Sequence, residues 1–236
     1  MDDSSAEQLE PGLYVVSTPI GNLGDLSARA IRVLRLAALI ACEDTRTTGR
    51  LLAHIESQQP TVSYHEHNEL ARATELADKI EAGQAIALVS DAGTPTLSDP
   101  GFRVVRECKR RGLPVIPVPG ASALLASLAA SGVPTDAFFY AGFLPPKSAA
   151  RRTFLERHKD FPHTIILYES CHRIEKFIAE MADVLGPERV VCLARELTKK
   201  YETIRTAPLK ELAAGGNSIK VKGEFVVLIA TEGFTL

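Results

Sequence analysis

The sequence predicts an α/β fold of two domains, the first with a parallel sheet and the second with a mixed sheet. In the first half, short apolar runs rich in β-branched residues alternate with amphipathic helical segments, the pattern of a parallel sheet covered by helices on both faces. In the second half, the last three strand-like runs are joined by a single short helical segment, which favours antiparallel or mixed pairing. The 236 residues suffice for two modest domains, which we place at residues 12–119 and 120–236.

The first domain contains five strand-like runs, namely GLYVVS, LIAC, TVSY, AIALVS and LPVIPV. The segments between them have helical periodicity, namely SARAIRVLRLA, TRTTGRLLA, ARATELADKIEA and GFRVVRECKRR. In the third of these, the apolar residues Ala73, Leu76, Ala77 and Ile80 recur at helical spacing, which predicts one buried face. Asp99 followed by Pro100 is predicted to form the N-cap and first turn of the fourth helix.

The second domain opens with ASALLASLAASG, an almost wholly apolar helical segment that ends at Gly132. A strand-like run AFFYAGF, a loop LPPKS and a basic helical segment AARRTFLERHK follow, and then a strand-like run TIILYES. The next helical segment, RIEKFIAEMADVLG, places Ile174, Phe177, Ile178, Met181 and Leu185 on one face. The chain then has three strand-like runs, RVVCLAREL, YETIRTA and EFVVLIAT, with the short helical segment PLKELAAG among them.

Composition and cysteine usage predict a cytoplasmic globular protein. Apolar residues make up 45% and charged residues 24% of the chain, and the net charge of −2 requires any nucleic-acid partner to meet a local basic patch. The four cysteines, Cys42, Cys108, Cys171 and Cys192, form no CxxC pair or zinc spacing, so we expect free thiols in a reducing compartment. The acidic N-terminus and the lack of an apolar run of about 20 residues predict neither a secretory signal nor a membrane span.

Four loops contain more small residues than a connection requires. They are STPIGNLGDLS at residues 17–27, SDAGTPTL at 90–97, VPGASAL at 118–124 and KGEF at 222–225. None has the GxGxxG of a dinucleotide site or the GK[ST] of a P-loop, so a dinucleotide or nucleotide triphosphate site is weakly supported. Small residues beside strand ends let backbone groups approach a polar ligand closely, and we expect a ligand site there.

These loops and several other motifs together resemble one family. TPIGNLGD, EDTR, SDAGTPTLSDPG, PGASA, GFLP, YES–HR, ELTK and KGEFV, in this order, are similar to the small-subunit ribosomal RNA methyltransferase I family of the tetrapyrrole methylase superfamily. The resemblance extends over about residues 12 to 230. It implies methylation of the ribose 2′-hydroxyl of a cytidine in the decoding region of 16S rRNA, with S-adenosylmethionine (SAM) as methyl donor. It also implies two α/β domains with SAM in the cleft between them, usually in a homodimer.

The resemblance further implies which residues bind SAM. By motif, the contacts in the small-residue loops are Pro19, Ile20, Asp91, Ala92, Gly93, Thr94, Leu97, Ser122 and Ala123. Tyr168 and Leu197 are expected to add apolar and backbone contacts from the second domain.

Methyl transfer to a hydroxyl depends on positioning and on a group that takes the hydroxyl proton or stabilises the developing alkoxide. The candidates are Glu43, Asp44 and Arg46 of EDTR, His65 of YHEHNE, and Glu196 and Lys199 of ELTK. For the first group, the alternative is that Asp44 or Thr45 caps the next helix and Glu43 pairs with Arg46. His65 is alternatively an RNA contact or a surface residue, and since no third ligand has a suitable spacing we expect no metal site. Lys199 is a base if desolvation lowers its pKa, or otherwise a solvated residue.

The densest basic run, KSAARRTFLERHK, predicts the contact with rRNA. Its cations are Lys147, Arg151, Arg152, Arg157 and Lys159, and it follows a loop at a predicted strand end. The alternative is an ordinary surface face, because Arg152 and Glu156 have the spacing of a helical ion pair.

Two other functions are compatible with the same fold. One is methylation of a porphyrin- or corrin-type ring with the same donor, and the other is a non-catalytic RNA-binding subunit. EDTR, YHEHNE and SDAGTPTLSDPG together favour the rRNA methyltransferase, acting on 16S rRNA or on the small ribosomal subunit.

Overall fold

The structure is a computed structural model that describes residues 8–214 and 222–236. It divides the chain into two compact units, with the division between Ser122 and Ala123. The boundary predicted from the sequence lay between residues 119 and 120. The small-residue loop at residues 120–122 therefore belongs to the first unit. All four cysteines are free thiols, and Cys42, Cys108 and Cys192 are buried.

In the described part of the first unit, five parallel strands form one sheet. They are β1 (Gly12–Val16), β2 (Leu39–Cys42), β3 (Thr61–Ser63), β4 (Ala85–Val89) and β5 (Val115–Val118). Their order across the sheet is β3-β2-β4-β1-β5, and each neighbouring pair is parallel. Between them come α1 (Ala28–Leu36), α2 (Thr45–His54), α3 (Glu69–Glu81) and α4 (Phe102–Arg110), and a 3-10 turn (Leu23–Asp25) precedes α1. The parallel sheet predicted from the sequence is confirmed.

Helices cover both faces of this sheet, so its strands are apolar on both sides. Strand β4 contributes Ala87 and Val89 to a core shared with α1 and α2, and Ile86 and Leu88 to a core shared with α3 and α4. The predicted buried face of α3 is confirmed, and its members are Ala73, Leu76, Ala77 and Ile80. Because helices occupy both faces of the sheet, a ligand can reach it only at the loops beyond the strand ends.

The described part of the second unit contains a mixed sheet of five strands. They are β6 (Phe138–Phe143), β7 (Thr164–Ser170), β8 (Val190–Arg195), β9 (Thr203–Pro208) and β10 (Glu224–Ile229). Their order is β6-β7-β10-β8-β9; β6 and β7 are parallel, and the other pairs are antiparallel. The helices are α5 (Ala123–Ser131), α6 (Ser148–Arg157), α7 (Ile174–Leu185) and α8 (Leu209–Ala214). The predicted mixed sheet is confirmed.

The core of the second unit lies between one face of this sheet and the helices α6, α7 and α8. Ile165 and Leu167 of β7 pack there with the buried face of α7. That face contains all the residues predicted from helical spacing, namely Ile174, Phe177, Ile178, Met181 and Leu185. Within the described residues, no helix has the length and apolar character needed to cross a bilayer.

The predicted helix cap at Asp99 is wrong. Helix α4 begins at Phe102, its N-cap is Gly101, and no side chain caps it. Gly101 has φ 139°, and a Cβ there would lie 2.8 Å from Thr96 Cγ2 and 2.9 Å from Leu88 Cδ2. This tight packing delays the start of the helix, and the Asp99 side chain instead makes a hydrogen bond with Ser90.

Candidate active site

The small-residue loops of the first unit lie side by side at one edge of the parallel sheet. Strand β1 is flanked by β4 and β5, and parallel strands bring their carboxyl ends to the same edge. The loops that follow these three strands begin at Ser17, Ser90 and Pro119. They contain the motifs TPIGNLGD, SDAGTPTL and PGASA. Ligands of open α/β sheets bind beyond this edge, so the sheet order brings these motifs to one candidate site.

Hydrogen bonds join the three loops to one another. Thr18 and Gly93 exchange backbone hydrogen bonds: Thr18 N donates to Gly93 O at 2.8 Å, and Gly93 N donates to Thr18 O at 3.0 Å. The Thr94 hydroxyl lies 2.9 Å from the Ser17 hydroxyl and donates to Ala121 O at 3.2 Å. The three loops therefore form one hydrogen-bonded framework, and Thr94 contacts both of the others.

Two glycines permit this close approach. Gly93 has φ 81°, a conformation that L side chains rarely adopt, and a Cβ there would lie 3.3 Å from Ile20 Cγ2. A Cβ on Gly120 would lie 2.9 Å from the Cβ of Ser17 and 3.1 Å from its carbonyl oxygen. A larger residue at either position would push two of the loops apart.

The loop after β4 holds two strained residues. Thr96 has φ 77° and Ser98 has φ 68°, although neither is glycine. Positive φ is unusual above all for a β-branched residue, and such strain concentrates at functional sites. The same loop exposes Asp91, Ala92 and Leu97. The neighbouring loops therefore hold the loop after β4 in a strained conformation. In this conformation the loop exposes the Asp91 carboxylate and the apolar side chains of Ala92 and Leu97.

Burial raises the pKa of three carboxyl groups at this edge, and the charges of nearby carboxylates raise it further. The pKa of Asp99 is raised to about 6, mainly by burial. A hydrogen bond with Ser90 lowers it, and the charges of Glu43 and Asp91 raise it further. The pKa of Glu43 is raised by burial and by the charge of Asp91. The pKa of Asp91 is raised by burial, although its Oδ1 accepts a hydrogen bond from Asp44 N at 3.1 Å. The edge is thus electronegative, and a bound cation would relieve this repulsion.

Asp44 caps helix α2, which was one of the alternatives predicted from the sequence. Its carboxylate accepts from Arg46 N at 2.8 Å at the start of α2 and pairs with the Arg46 guanidinium at 2.7 Å. The partner of Arg46 is therefore Asp44 and not Glu43. These hydrogen bonds to Arg46 lower the pKa of Asp44 to about 2, so it is a poor proton acceptor.

Neighbouring hydrogen bonds fix the tautomer of His65. Asn68 Oδ1 accepts from His65 N at 2.9 Å, and its Nδ2 donates to Ser63 O at 3.2 Å. The same Nδ2 lies 3.2 Å from His65 Nε2, which therefore accepts, so the ring proton is on Nδ1. Within the described residues Nδ1 is buried without a partner, and no cluster of three His, Cys, Asp or Glu side chains could hold a metal ion. His65 in this state is a donor.

Glu196 and Lys199 form an ion-pair cluster in the second unit. Lys199 Nζ lies 2.9 Å from Glu196 Oε1 and 2.8 Å from Glu224 Oε2. Burial acts to lower the pKa of Lys199, but the two carboxylates outweigh it and the pKa is raised. The condition for a base, a lowered pKa, is therefore not met, and Lys199 is an ion-paired cation. Glu196 has φ 51°, and a Cβ on Gly223 would collide with its carboxyl group.

The structure brings most of the predicted SAM contacts together. The three joined loops contain Pro19, Ile20, Asp91, Ala92, Gly93, Thr94, Leu97 and Ser122. Their chemistry fits SAM, because a cationic sulfonium and ammonium suit the electronegative edge and Ile20 and Leu97 offer apolar surface. The other predicted contacts belong to the second unit: Ala123 begins α5, Tyr168 lies in β7, and Leu197 is buried after β8.

Arg151 cannot contact rRNA as predicted, because its side chain is only 2% exposed. It forms an ion pair with Glu180 of α7 at 2.7 Å and donates to the Pro146 carbonyl oxygen at 2.7 Å. Ser148 Oγ donates to the same carboxylate at 2.6 Å. Arg151 thus holds the loop that follows β6 against α7. A basic sequence run does not reveal the buried carboxylate that one of its members pairs with.

The other cations of the basic run do not form one patch. Arg152 pairs with Asp183 at 2.7 Å rather than with Glu156. Lys147 is the N-cap residue of α6, whereas Arg157 and Lys159 lie at its opposite end. Ten helical residues separate these ends by about 15 Å. The RNA contact predicted at Lys147 and those predicted at Arg157 and Lys159 therefore need to be tested separately.

Comparison with known proteins agrees with this fold. A profile of the tetrapyrrole (corrin/porphyrin) methylases matches residues 12–213. Ribosomal RNA small subunit methyltransferase I of Pseudomonas aeruginosa is 49% identical over 220 residues, covering 92% of this chain and 78% of its own. The protein of the same name from Vibrio cholerae is 49% identical over 230 residues, covering 97% and 80%. The chain belongs to the tetrapyrrole methylases and, among them, to the ribosomal RNA small subunit methyltransferase I family.

Solved structures share the fold at low identity. Diphthine synthase has a TM-score of 0.70 at 15% identity, covering 92% of this chain and 89% of its own. Uroporphyrin-III C-methyltransferase from Thermus thermophilus, complexed with S-adenyl homocysteine, has a TM-score of 0.60 at 21% identity, covering 93% and 97%. That ligand is SAM without its methyl group, and SAM is the methyl donor of this family.

Asp99 is the residue of this edge that the sequence prediction missed as a candidate base. Its position before Pro100 has the pattern of a helix cap. That pattern concealed its burial beside the carboxylates of Glu43 and Asp91. A second aspartate shortly after Asp91 in a loop rich in turn-forming residues was the available signal. Such a loop can place both carboxylates at the same strand end, as it does here.

Proposed function

We propose that this protein transfers a methyl group from SAM to the ribose 2′-hydroxyl of a cytidine in the decoding region of 16S rRNA. The observation that supports this most is the identity of nearly half of all residues, over almost the whole chain, with proteins named ribosomal RNA small subunit methyltransferase I. Solved structures below 25% identity cannot select the substrate, because enzymes with different substrate names share the fold. The substrate assignment therefore rests on the sequence relatives and the motifs.

The three joined loops are proposed to hold the methyl donor. SAM supplies an activated methyl carbon, so the protein's main task is to orient donor and acceptor. Gly93 and Gly120 let the loop backbones approach one another, and Asp91 presents a carboxylate at the exposed rim. The electronegative edge attracts a cationic donor and releases the neutral product more readily.

Asp99 is the proposed acceptor of the hydroxyl proton. An efficient base has a pKa near the working pH and is ionised there, and a pKa of about 6 meets both conditions. Asp44 is held by Arg46, Lys199 is a cation, and the accepting nitrogen of His65 is occupied by Asn68. Glu43, whose pKa is also raised, is the remaining candidate and the necessary comparison.

Incubation with isotopically labelled SAM tests the proposed function. The acceptors are small ribosomal subunits from a bacterial strain deleted for its own enzyme of this family, fully methylated subunits, and uroporphyrinogen III. We expect label in the RNA of the undermethylated subunits alone. Label in the tetrapyrrole would favour a ring methyltransferase, and RNA binding without label transfer would favour a non-catalytic subunit.

We further propose a homodimer that acts in the cytoplasm on the small subunit. The support for a dimer is family membership. Light scattering should give twice the mass of one chain at micromolar concentration, and a monomer under those conditions would contradict it.

A further inference from the structure

A β-bulge in β6 changes the face on which Phe143 lies. Tyr140 pairs with Ile166 of β7, but the next pair is Gly142 with Leu167, so Ala141 is an extra residue. Regular alternation would put Phe143 on the same face as Ala141, which packs against the core under α6 and α7. Gly142, with φ 64°, completes the bulge, and Phe143 then pairs with Tyr168. Bulges re-aim side chains in this way next to functional sites.

The re-aimed side chain joins two tyrosines on the opposite face. The rings of Phe143 and Tyr168 are 5.5 Å apart and edge-to-face, and those of Tyr140 and Tyr168 are 5.3 Å apart. Phe143 nevertheless remains 58% exposed. We call Tyr140, Phe143 and Tyr168 the aromatic platform. A regular strand would have let Phe143 face the core, so the bulge gives up apolar burial to present a ring.

The platform lies at an edge of the sheet that carries three lysines outside the ion pairs of the described residues, one of which, Lys200, lies over the Tyr201 ring at 5.6 Å. The register pairs Phe143 with Tyr168, Ser170 with Glu224 and Phe225 with Arg195, so β6, β7 and β8 end, and β10 begins, at one edge. Lys147, Lys200 and Lys222 lie in the loops of that edge and are exposed. None of them forms an ion pair with any residue in the described ranges. An exposed ring beside exposed lysines suits single-stranded nucleic acid, whose bases stack on aromatic side chains and whose phosphates pair with lysines.

We infer that Phe143 stacks on a base of the substrate RNA, and that the lysines of the same edge contact its phosphates. The inference rests on the proposed function, since it names the part of the protein that meets the rRNA. A stacking contact is tolerant of base identity, so it would position an unpaired strand rather than read its sequence.

Variants of Phe143 test this with a matched control. Phe143→Ala, Phe143→Leu and Phe143→Tyr are compared with Phe138→Ala, since Phe138 is a 41% exposed phenylalanine at the other end of the same strand. We measure kcat and KM for undermethylated small subunits, and SAM affinity by calorimetry. Loss of one stacked base should raise KM for the subunits roughly 5- to 150-fold in the Ala and Leu variants. The Tyr variant should stay close to wild type, and Phe138→Ala and all SAM affinities should be unchanged.

Three results would overturn the inference. The first is a Leu variant as active as the Tyr variant, because that would indicate apolar packing and not stacking. The second is a Phe143→Ala protein that loses its dimer in light scattering, which would assign the ring to an interface between two copies. The third is a parallel fall in SAM affinity, which would assign it to the donor site.

A second measurement separates this inference from the proposed function. Single-stranded RNA carrying 2-aminopurine loses fluorescence when the base stacks. Wild type should quench this probe and Phe143→Ala should not, whether or not the subunit is methylated. If wild type quenches but methylates no subunit, the proposed function fails and the stacking platform stands. If wild type methylates the subunit and both proteins quench equally, the platform fails and the function stands.

Discussion

Thr18 and Gly93 exchange two backbone hydrogen bonds, of 2.8 and 3.0 Å, between the loops that follow β1 and β4. The pairing is possible because Gly93 adopts φ 81° against Ile20. Around this bridge the hydroxyls of Ser17 and Thr94 meet, and Thr94 reaches the loop after β5. The pairing of these two loops in the proposed donor site therefore depends on Gly93.

Gly93→Ala should weaken SAM binding about tenfold or more, because the added Cβ overpacks the contact with Ile20. The control is Gly83→Ala. Gly83 also has positive φ, 93°, but a Cβ there meets nothing within 4 Å. Both variants should lose about 1–2 kcal/mol of stability to the backbone conformation. Calorimetric SAM affinities that fall equally, or not at all, would contradict the proposed donor site.

Asp99→Asn should lower kcat by about a hundredfold or more, because the amide cannot accept the hydroxyl proton. The ionised carboxylate is the active form, so wild-type kcat should rise as pH rises through about 6, and this limb should vanish in the variant. A raised pKa in the folded state means that protonation of Asp99 stabilises the fold at low pH and that this contribution is lost as pH rises through about 6. Asp99→Asn should therefore be no less stable than wild type at neutral pH.

Glu43→Gln is the comparison for the proton acceptor. Its pKa is also raised, and its charge contributes to the raised pKa of Asp99. If Asp99 is the base, Glu43→Gln keeps the rising limb and moves it to lower pH, because one repelling charge is removed. Loss of the limb in Glu43→Gln, with the limb kept in Asp99→Asn, would transfer the role to Glu43.

Arg151→Ala should reduce the free energy of unfolding by about 3–5 kcal/mol, because it leaves the buried Glu180 carboxylate uncompensated. Arg152→Ala removes only a half-exposed pair with Asp183 and should cost at most about 1 kcal/mol. Urea denaturation of the two single variants gives both values. Equal costs would mean that the buried pair does not hold the loop after β6 as described.

Lys147→Ala should flatten the salt dependence of binding to the undermethylated small subunit by about 0.7–0.9 in log–log slope, the value for one lost phosphate contact. Lys159→Ala is the matched control, since Lys159 lies at the other end of α6. Affinities at several monovalent salt concentrations give the slopes. A flatter slope for Lys159→Ala alone would place the RNA along the far end of the helix.

Much of the fold could be predicted from sequence periodicity. Apolar runs as short as LIAC alternate with amphipathic helices, and burial on both faces of β4 follows directly from the run AIALV. Helical spacing likewise identified the buried faces of α3 and α7. These features are local in sequence, and so a pattern reveals them.

The missed features depend on contacts that no local pattern encodes. Arg151 lies in a basic run, and its partner Glu180 is 29 residues away on another helix. Asp99 has the pattern of a cap, but the packing of Gly101 against Thr96 and Leu88 moves the helix start. The run AFFYAGF has the pattern of a regular strand, and only its pairing with β7 reveals the bulge that turns Phe143.

The most direct test of the account is to map the modified nucleotide. Undermethylated small subunits are incubated with wild-type protein and SAM, and the 16S rRNA is digested and analysed by mass spectrometry. The account predicts a 2′-O-methylcytidine in a fragment of the decoding region, absent when Asp99→Asn is used for the same time. A methyl group on a base, or on a ribose outside the decoding region, would contradict it.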